Sequence, residues 1–169
     1  MLEFTPDEIA TLRALLGKIA ENGGYWPDEE TMRIAHGAIS YWACELVLLR
    51  DGKNGLEILL AEYSDGVEAF LGMWHIPGGY NKVLEKDTQE TCSRVAQREI
   101  GVDVDYCETL DSYKWAPGEH PYGRPLSVYV GCIPLGEIAE TKKLRFFSVN
   151  ALPENVVGAH RQFILNNLR

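Results

Sequence analysis

The chain has 169 residues, 46% hydrophobic and 24% charged, a balance suited to one folded domain with a real core. Its formal net charge of −9 argues against a nucleic-acid polymer as partner, since phosphate backbones are held by many Lys and Arg, but leaves room for a small anion in a local basic pocket. No apolar run is long enough to cross a bilayer, and Met1-Leu2-Glu3-Phe4-Thr5-Pro6 lacks the order of a signal peptide, so a cytoplasmic protein without a membrane partner is expected.

An N-terminal extension, residues 1–31, is expected ahead of a domain over 32–169. Ile9, Leu12, Leu15, Leu16 and Ile19 recur at helical spacing, which predicts an amphipathic helix over 5–21, capped by Thr5 and ended by Gly23-Gly24. Its apolar face is expected to pack on its own domain, with a homodimer as the other option. A short helical turn follows near 25–30. Residues 34–40 and 42–49 read as strand. Asp51-Gly52-Lys53-Asn54-Gly55 predicts a hairpin into a strand over 56–63. A polar loop over 80–87 leads to a helix over 88–100, with Thr88 as expected N-cap and Gly101 as its stop. Strands over 102–110, 127–133 and 144–149 and a helix over 155–168 complete the order. Strands, a central helix, more strands and a closing helix predict an α/β sandwich with a mixed sheet. Cys44, Cys92, Cys107 and Cys132 share no C-x-x-C spacing, so they are expected as small buried apolar residues and not as a zinc site.

The chemistry concentrates at Trp74-His75-Ile76-Pro77-Gly78-Gly79 and the helix after it. Adjacent glycines let a backbone approach a ligand closely. Glu99, late in the helix, offers oxygens to a hard cation. Gly79 and Glu85 stand at a G-x5-E spacing, and Arg94-Val95-Ala96-Gln97-Arg98-Glu99-Ile100-Gly101-Val102 follows. Together these segments resemble the Nudix hydrolases, whose box reads G-x5-E-x7-R-E-U-x-E-E-x-G-U with U aliphatic. The resemblance covers roughly residues 34–169 and implies the Nudix α/β/α sandwich. Three departures stand out. Eight residues separate Glu85 from Arg94, Val95 replaces the first metal-ligand glutamate, and Arg98 replaces the second. The reduced box is similar to that of family members acting on GDP-mannose.

The resemblance implies a hydrolase of a nucleoside diphosphate linked to another moiety, such as a nucleotide sugar. A single, weakly held Mg²⁺ or Mn²⁺ would sit on Glu99, assisted by Glu85. Gly78 and Gly79 would shape the loop, while Arg94 and Gly101 would be structural. Arg98, Arg124 and Tyr122 are candidate ligand contacts, and Glu140 and His120 candidate bases for the attacking water. Arg33 and His36 are weaker ligand candidates. His75 reads as a loop-ordering residue, Glu90 as an intrahelical partner of Arg94, His160-Arg161 as a solvated face, and Trp42, Phe146 and Phe147 as core. The alternative to an enzyme is a Nudix-fold ligand-binding or protein-interaction module without hydrolysis, in which Arg98 supplies the metal's charge.

Overall fold

In the computed structural model, which describes residues 4–21, 27, 28, 31, 34, 42–53, 55–64, 68–121 and 124–169, the chain divides into two units at Ile39/Ser40. The first holds α1 (Pro6–Glu21). Its start is a reciprocal capping box. Thr5 Oγ1 accepts the Glu8 N–H at 3.3 Å, and the Glu8 carboxylate accepts the Thr5 N–H at 2.7 Å. None of its residues is buried. The strand expected over 34–40 falls, but for Ile34, outside the described residues, as do Arg33 and His36.

The second unit builds two four-stranded sheets. β1 (Trp42–Val47) lies inside the first, in the order β5 (Gly78–Tyr80), β1, β7 (Leu126–Pro134), β6 (Val104–Lys114). β1 and β7 run parallel and the other pairs antiparallel, so the sheet is mixed. In the second sheet β3 (Gly55–Glu62) pairs antiparallel with β2 (Leu49–Gly52), β4 (Trp74–His75) and β8 (Leu144–Ser148). The expected hairpin is there, with Gly52 paired to Gly55 and Gly55 at φ +105°.

Strand alternation sends successive residues to opposite sides, and a helix covers each side. On one, Cys92, Val95 and Ala96 of α2 (Thr88–Glu99) pack with Cys44 and Leu46 of β1 and Leu59 of β3. On the other, Phe163 and Ile164 of α3 (Gly158–Asn167) pack with Val47, Tyr129, Ile58 and Leu60. Each fully buried Leu or Ile contributes about 1.5–3 kcal/mol. Cys44, Cys92 and Cys132 are buried free thiols, as expected, whereas Cys107 is exposed on β6. Trp42 and Phe146 pack on the first cluster and Phe147 on the second.

Four local expectations are corrected. The α2 cap is Asp87, whose side chain accepts the Glu90 N–H at 2.9 Å, one residue before Thr88. Glu90 pairs with Lys86 at 3.7 Å instead of with Arg94, because Arg94 turns back to the loop. β6 runs on to Lys114, since its hairpin with β7 continues past two register shifts. His160 is not solvated. It is 2% exposed, because α3 lays that face on the first sheet.

Candidate functional site

Pro77-Gly78-Gly79 leads into β5, which among the described residues is the end strand of the first sheet and pairs with β1. Gly78 and Gly79 face opposite ways, and each is glycine for its own reason. A Cβ on Gly78 would stand 1.9 Å from Glu45 Oε2 and 2.9 Å from the Cys44 carbonyl oxygen. A Cβ on Gly79 would meet Arg98 Nη2 at 2.7 Å and Val95 Cγ2 at 3.3 Å. The glycine pair is thus clamped between a buried carboxylate and the helix guanidinium.

The loop is fastened to α2 by Glu85 and Arg94. Arg94 donates from Nε and Nη2 to the Glu85 carboxylate, and from Nη2 to the Tyr80 carbonyl at 2.7 Å. Glu85 Oε2 also accepts the Lys82 N–H at 2.6 Å and the Thr91 hydroxyl at 2.8 Å. Arg94 and these donors hold the Glu85 carboxyl well below its ordinary range, at about 2. Glu85 therefore has both oxygens engaged within the loop. Gly101, at φ +75°, ends α2 with its N–H on the Ala96 carbonyl, the left-handed terminus that favours glycine.

Arg98 faces the cleft. Its Nε donates to Glu99 Oε1 at 2.7 Å and its Nη2 to the Gly78 carbonyl oxygen at 3.0 Å. Two hard oxygen donors thus converge on one cationic position. Among the described residues no three His, Cys, Asp or Glu side chains gather as a metal-ligand group. This donor set fits an ion that arrives with ligand phosphates and keeps waters, as Mg²⁺ commonly does, better than a fully caged one. The same position would hold the ion only once Arg98, half exposed, has swung away.

The edge opens into a cavity of about 940 Å³ lined by Lys82, Arg94, Arg98 and Lys143 against Glu62 and Glu99. Four cations against two carboxylates make it a basic pocket on a chain of net charge −9. Its far wall is aromatic. Tyr63 stacks on His75 with centroids 3.8 Å apart, and His120 sits edge-on to Trp115 at 4.8 Å and to Phe70 at 5.7 Å. Burial keeps His75 neutral, its pKa lowered to about 4, with its Nδ1 at 2.8 Å from the Ile76 carbonyl oxygen, and it lowers His120 as well.

Of the residues singled out in the sequence, Gly78, Gly79, Arg94, Arg98, Glu99 and His120 meet at this cavity. Glu140 and Arg124 do not line it. Glu140 is held outside by Arg50 Nη1 at 2.8 Å and by the Phe146 N–H at 3.1 Å, the latter chiefly lowering its pKa. Tyr122 lies outside the described residues. Sequence reasoning missed Lys82, Lys143 and Tyr63, ordinary surface types with no motif, and Glu45. Glu45 carries a signal: a lone carboxylate in the otherwise apolar Trp42–Val47.

No family model matches the sequence. Over 98 residues the chain is 30% identical to the digeranylgeranylglycerophospholipid reductase of Methanothrix thermoacetophila, covering 54% of this chain but only 24% of that protein's length. Solved structures give the fold. The MutT NUDIX hydrolase of Burkholderia pseudomallei is similar with a TM-score of 0.61 at 20% identity, over 76% of this chain and 98% of that one. The NUDIX domain of Shewanella oneidensis NrtR, solved with ADP ribose, is similar with a TM-score of 0.58 at 20% identity, over 88% and 94%. The chain covers 60% of the longer NrtR chain. The architecture is therefore the Nudix fold, the α/β sandwich that the loop-and-helix motif implied.

Proposed function

We propose that this basic cavity binds a nucleoside diphosphate linked to a second group, such as ADP-ribose or a nucleotide sugar, and that the chain hydrolyses it as a Nudix-type enzyme. The observation that carries the reading is the convergence of the Gly78 carbonyl and Glu99 on one cation position at the mouth of a cationic cavity. Lys82 and Lys143 would meet phosphate oxygens, and the Tyr63–His75 stack and His120 would face the base or sugar. Glu99 and the Gly78 carbonyl would hold one Mg²⁺ or Mn²⁺, which when bound neutralises phosphate and lowers the pKa of a water. Arg94 and Glu85 keep the loop on α2, so that the Gly78 carbonyl stays aimed at this position. The NrtR domain's complex with ADP ribose supports the ligand class. A cytoplasmic protein, dimeric through α1 and without membrane or nucleic-acid partners, completes the proposal.

The second reading is a binding module without hydrolysis. It is favoured by Arg98, which already fills the cation position and can grip phosphate directly. Calorimetry with ADP-ribose and GDP-mannose, with Mn²⁺ and with EDTA, beside a turnover assay separates the two. The hydrolase reading expects turnover that needs metal and is lost in Glu99→Gln. Binding in EDTA with no turnover gives the second reading. Absence of binding to either ligand under both conditions sinks both.

A further inference from the structure

We infer that Nε2 of His75 is a fixed hydrogen-bond acceptor in the cavity wall, selecting ligands that bring an O–H or N–H donor to it. This rests on the ligand-binding reading above and adds to it a residue that decides which group the ligand must carry.

His75 is 5% exposed, and it lines the cavity. Its ring is held in place from several directions. The backbone is paired within the second sheet, with His75 of β4 opposite Ala61 of β3. One face of the ring lies on Tyr63, with centroids 3.8 Å apart and planes 20° from parallel. At the ring edge, Nδ1 stands 2.8 Å from the Ile76 carbonyl oxygen. The Ile76 N–H is taken by His160 Nδ1 at 2.9 Å, so the carbonyl is what Ile76 offers to His75.

That contact fixes the tautomer. A carbonyl oxygen only accepts, so the proton of the neutral ring sits on Nδ1 and Nε2 presents a lone pair. Burial keeps the ring uncharged near neutral pH. Among the described residues, the ring's hydrogen bond runs through Nδ1 and none reaches Nε2. The Tyr129 hydroxyl is the one sealed side-chain polar atom without a partner among those residues, so Nε2 is not sealed and opens on the cavity that His75 lines. An imidazole nitrogen held in a largely buried ring without a protein donor carries a desolvation cost that a ligand donor recovers. The preference has a sign. A lone pair attracts a hydroxyl or amino hydrogen and repels a phosphate or carbonyl oxygen. Phosphates have Lys82, Arg98 and Lys143 in the same lining, which leaves His75 to the base or a sugar.

The test is calorimetric binding of ADP-ribose to the full chain, with EDTA and with Ca²⁺, beside three analogues. One carries hypoxanthine in place of adenine and so lacks the amino group. One carries 2′,3′-dideoxyadenosine. The third is ADP, without the distal ribose. His75→Asn keeps an amide N–H for the Ile76 carbonyl and removes the acceptor at Nε2. Its affinity for ADP-ribose should fall about tenfold, as for loss of one hydrogen bond. The analogue that lacks the selected donor should bind parent and variant within about twofold of each other, and it tells base from sugar. If His75→Asn does not fold, His75→Phe, which keeps a ring on Tyr63, decides by the same comparison. Equal weakening of all four ligands is a structural effect alone and overturns the inference, as does unchanged affinity for ADP-ribose. Both of those outcomes leave the ligand reading standing. No ADP-ribose binding by the parent under either condition overturns the ligand reading and the inference together.

Discussion

Removing Arg98 should tighten metal binding, which is the reverse of what deleting a site residue usually does. The guanidinium donates to Glu99 Oε1 at 2.7 Å and to the Gly78 carbonyl at 3.0 Å. An ion on those two oxygens, at about 2.1 Å from each, would overlap the guanidinium, so Arg98 must withdraw first. Withdrawal breaks a half-exposed ion pair, about 0.2–1 kcal/mol. The displaced guanidinium then stands about 7 Å from a divalent ion, which costs about 1 kcal/mol more at the dielectric of water. Together these come to about 1.2–2 kcal/mol, roughly a sevenfold to thirtyfold gain in Mn²⁺ affinity for Arg98→Ala. Calorimetric Mn²⁺ titration at low salt measures it directly. In the same variant, metal-free binding of ADP-ribose should weaken, because a phosphate contact is lost. Mn²⁺ binding no tighter than the parent's would refute the reasoning, since Arg98 would then not compete for the position.

Three other outcomes follow from the same geometry. Gly78→Ala should cost about 1–3 kcal/mol by denaturant unfolding, because its Cβ meets a buried carboxylate and the Cys44 backbone, whereas Gly79→Ala meets mainly the movable end of Arg98 and should be milder. Arg94→Ala should destabilise by about 2 kcal/mol and Arg94→Lys should rescue only part, since the Glu85 and Tyr80 contacts use the fork of the guanidinium. Glu45 gives a pH signature. Burial raises its pKa from 4.5 to about 7, against the Ser127 hydrogen bond, so its stabilising contribution is complete below pH 4.5 and is lost as pH rises through 7. Measured by unfolding at pH 5 and pH 8, the stability of Glu45→Gln relative to the parent should therefore improve by up to about 3 kcal/mol toward pH 8. His75 works in the opposite sense: lowered to about 4, it stabilises above pH 6.5 and loses that contribution as pH falls through 4, leaving the Glu45 difference to be read between variants and not from the parent curve alone.

The fold was legible where the sequence carried periodicity or special backbone demands. The Asp51–Gly55 turn, Gly101 and the Pro77-Gly78-Gly79 lead-in mark places where few residues fit, and the α/β order followed from them. Boundaries resisted. β6 extends four residues past the expected end because its partner β7 continues to pair with it, a tertiary effect that local propensity cannot report. His160 was misread for a related reason. A His-Arg pair on a terminal helix looks solvated until the sheet it covers is known, and only then does its ring face the Ile76 amide.

The site shows the same division. The motif residues are close in sequence, so the resemblance of the loop-and-helix segment singled out Glu99, Arg98 and the glycines. Residues outside the motif that give the cavity its charge and shape come from β3, the loop after β5 and the loop before β8, brought together only by sheet order. Glu45 makes the physical point clearest. Once β5 is paired with β1, the register places Glu45 opposite Gly78, and the absent side chain of that glycine becomes the space its carboxylate uses. Gly78 is thus required for its missing Cβ: any residue would supply the carbonyl that meets Arg98, but a side chain there would have to expel Glu45.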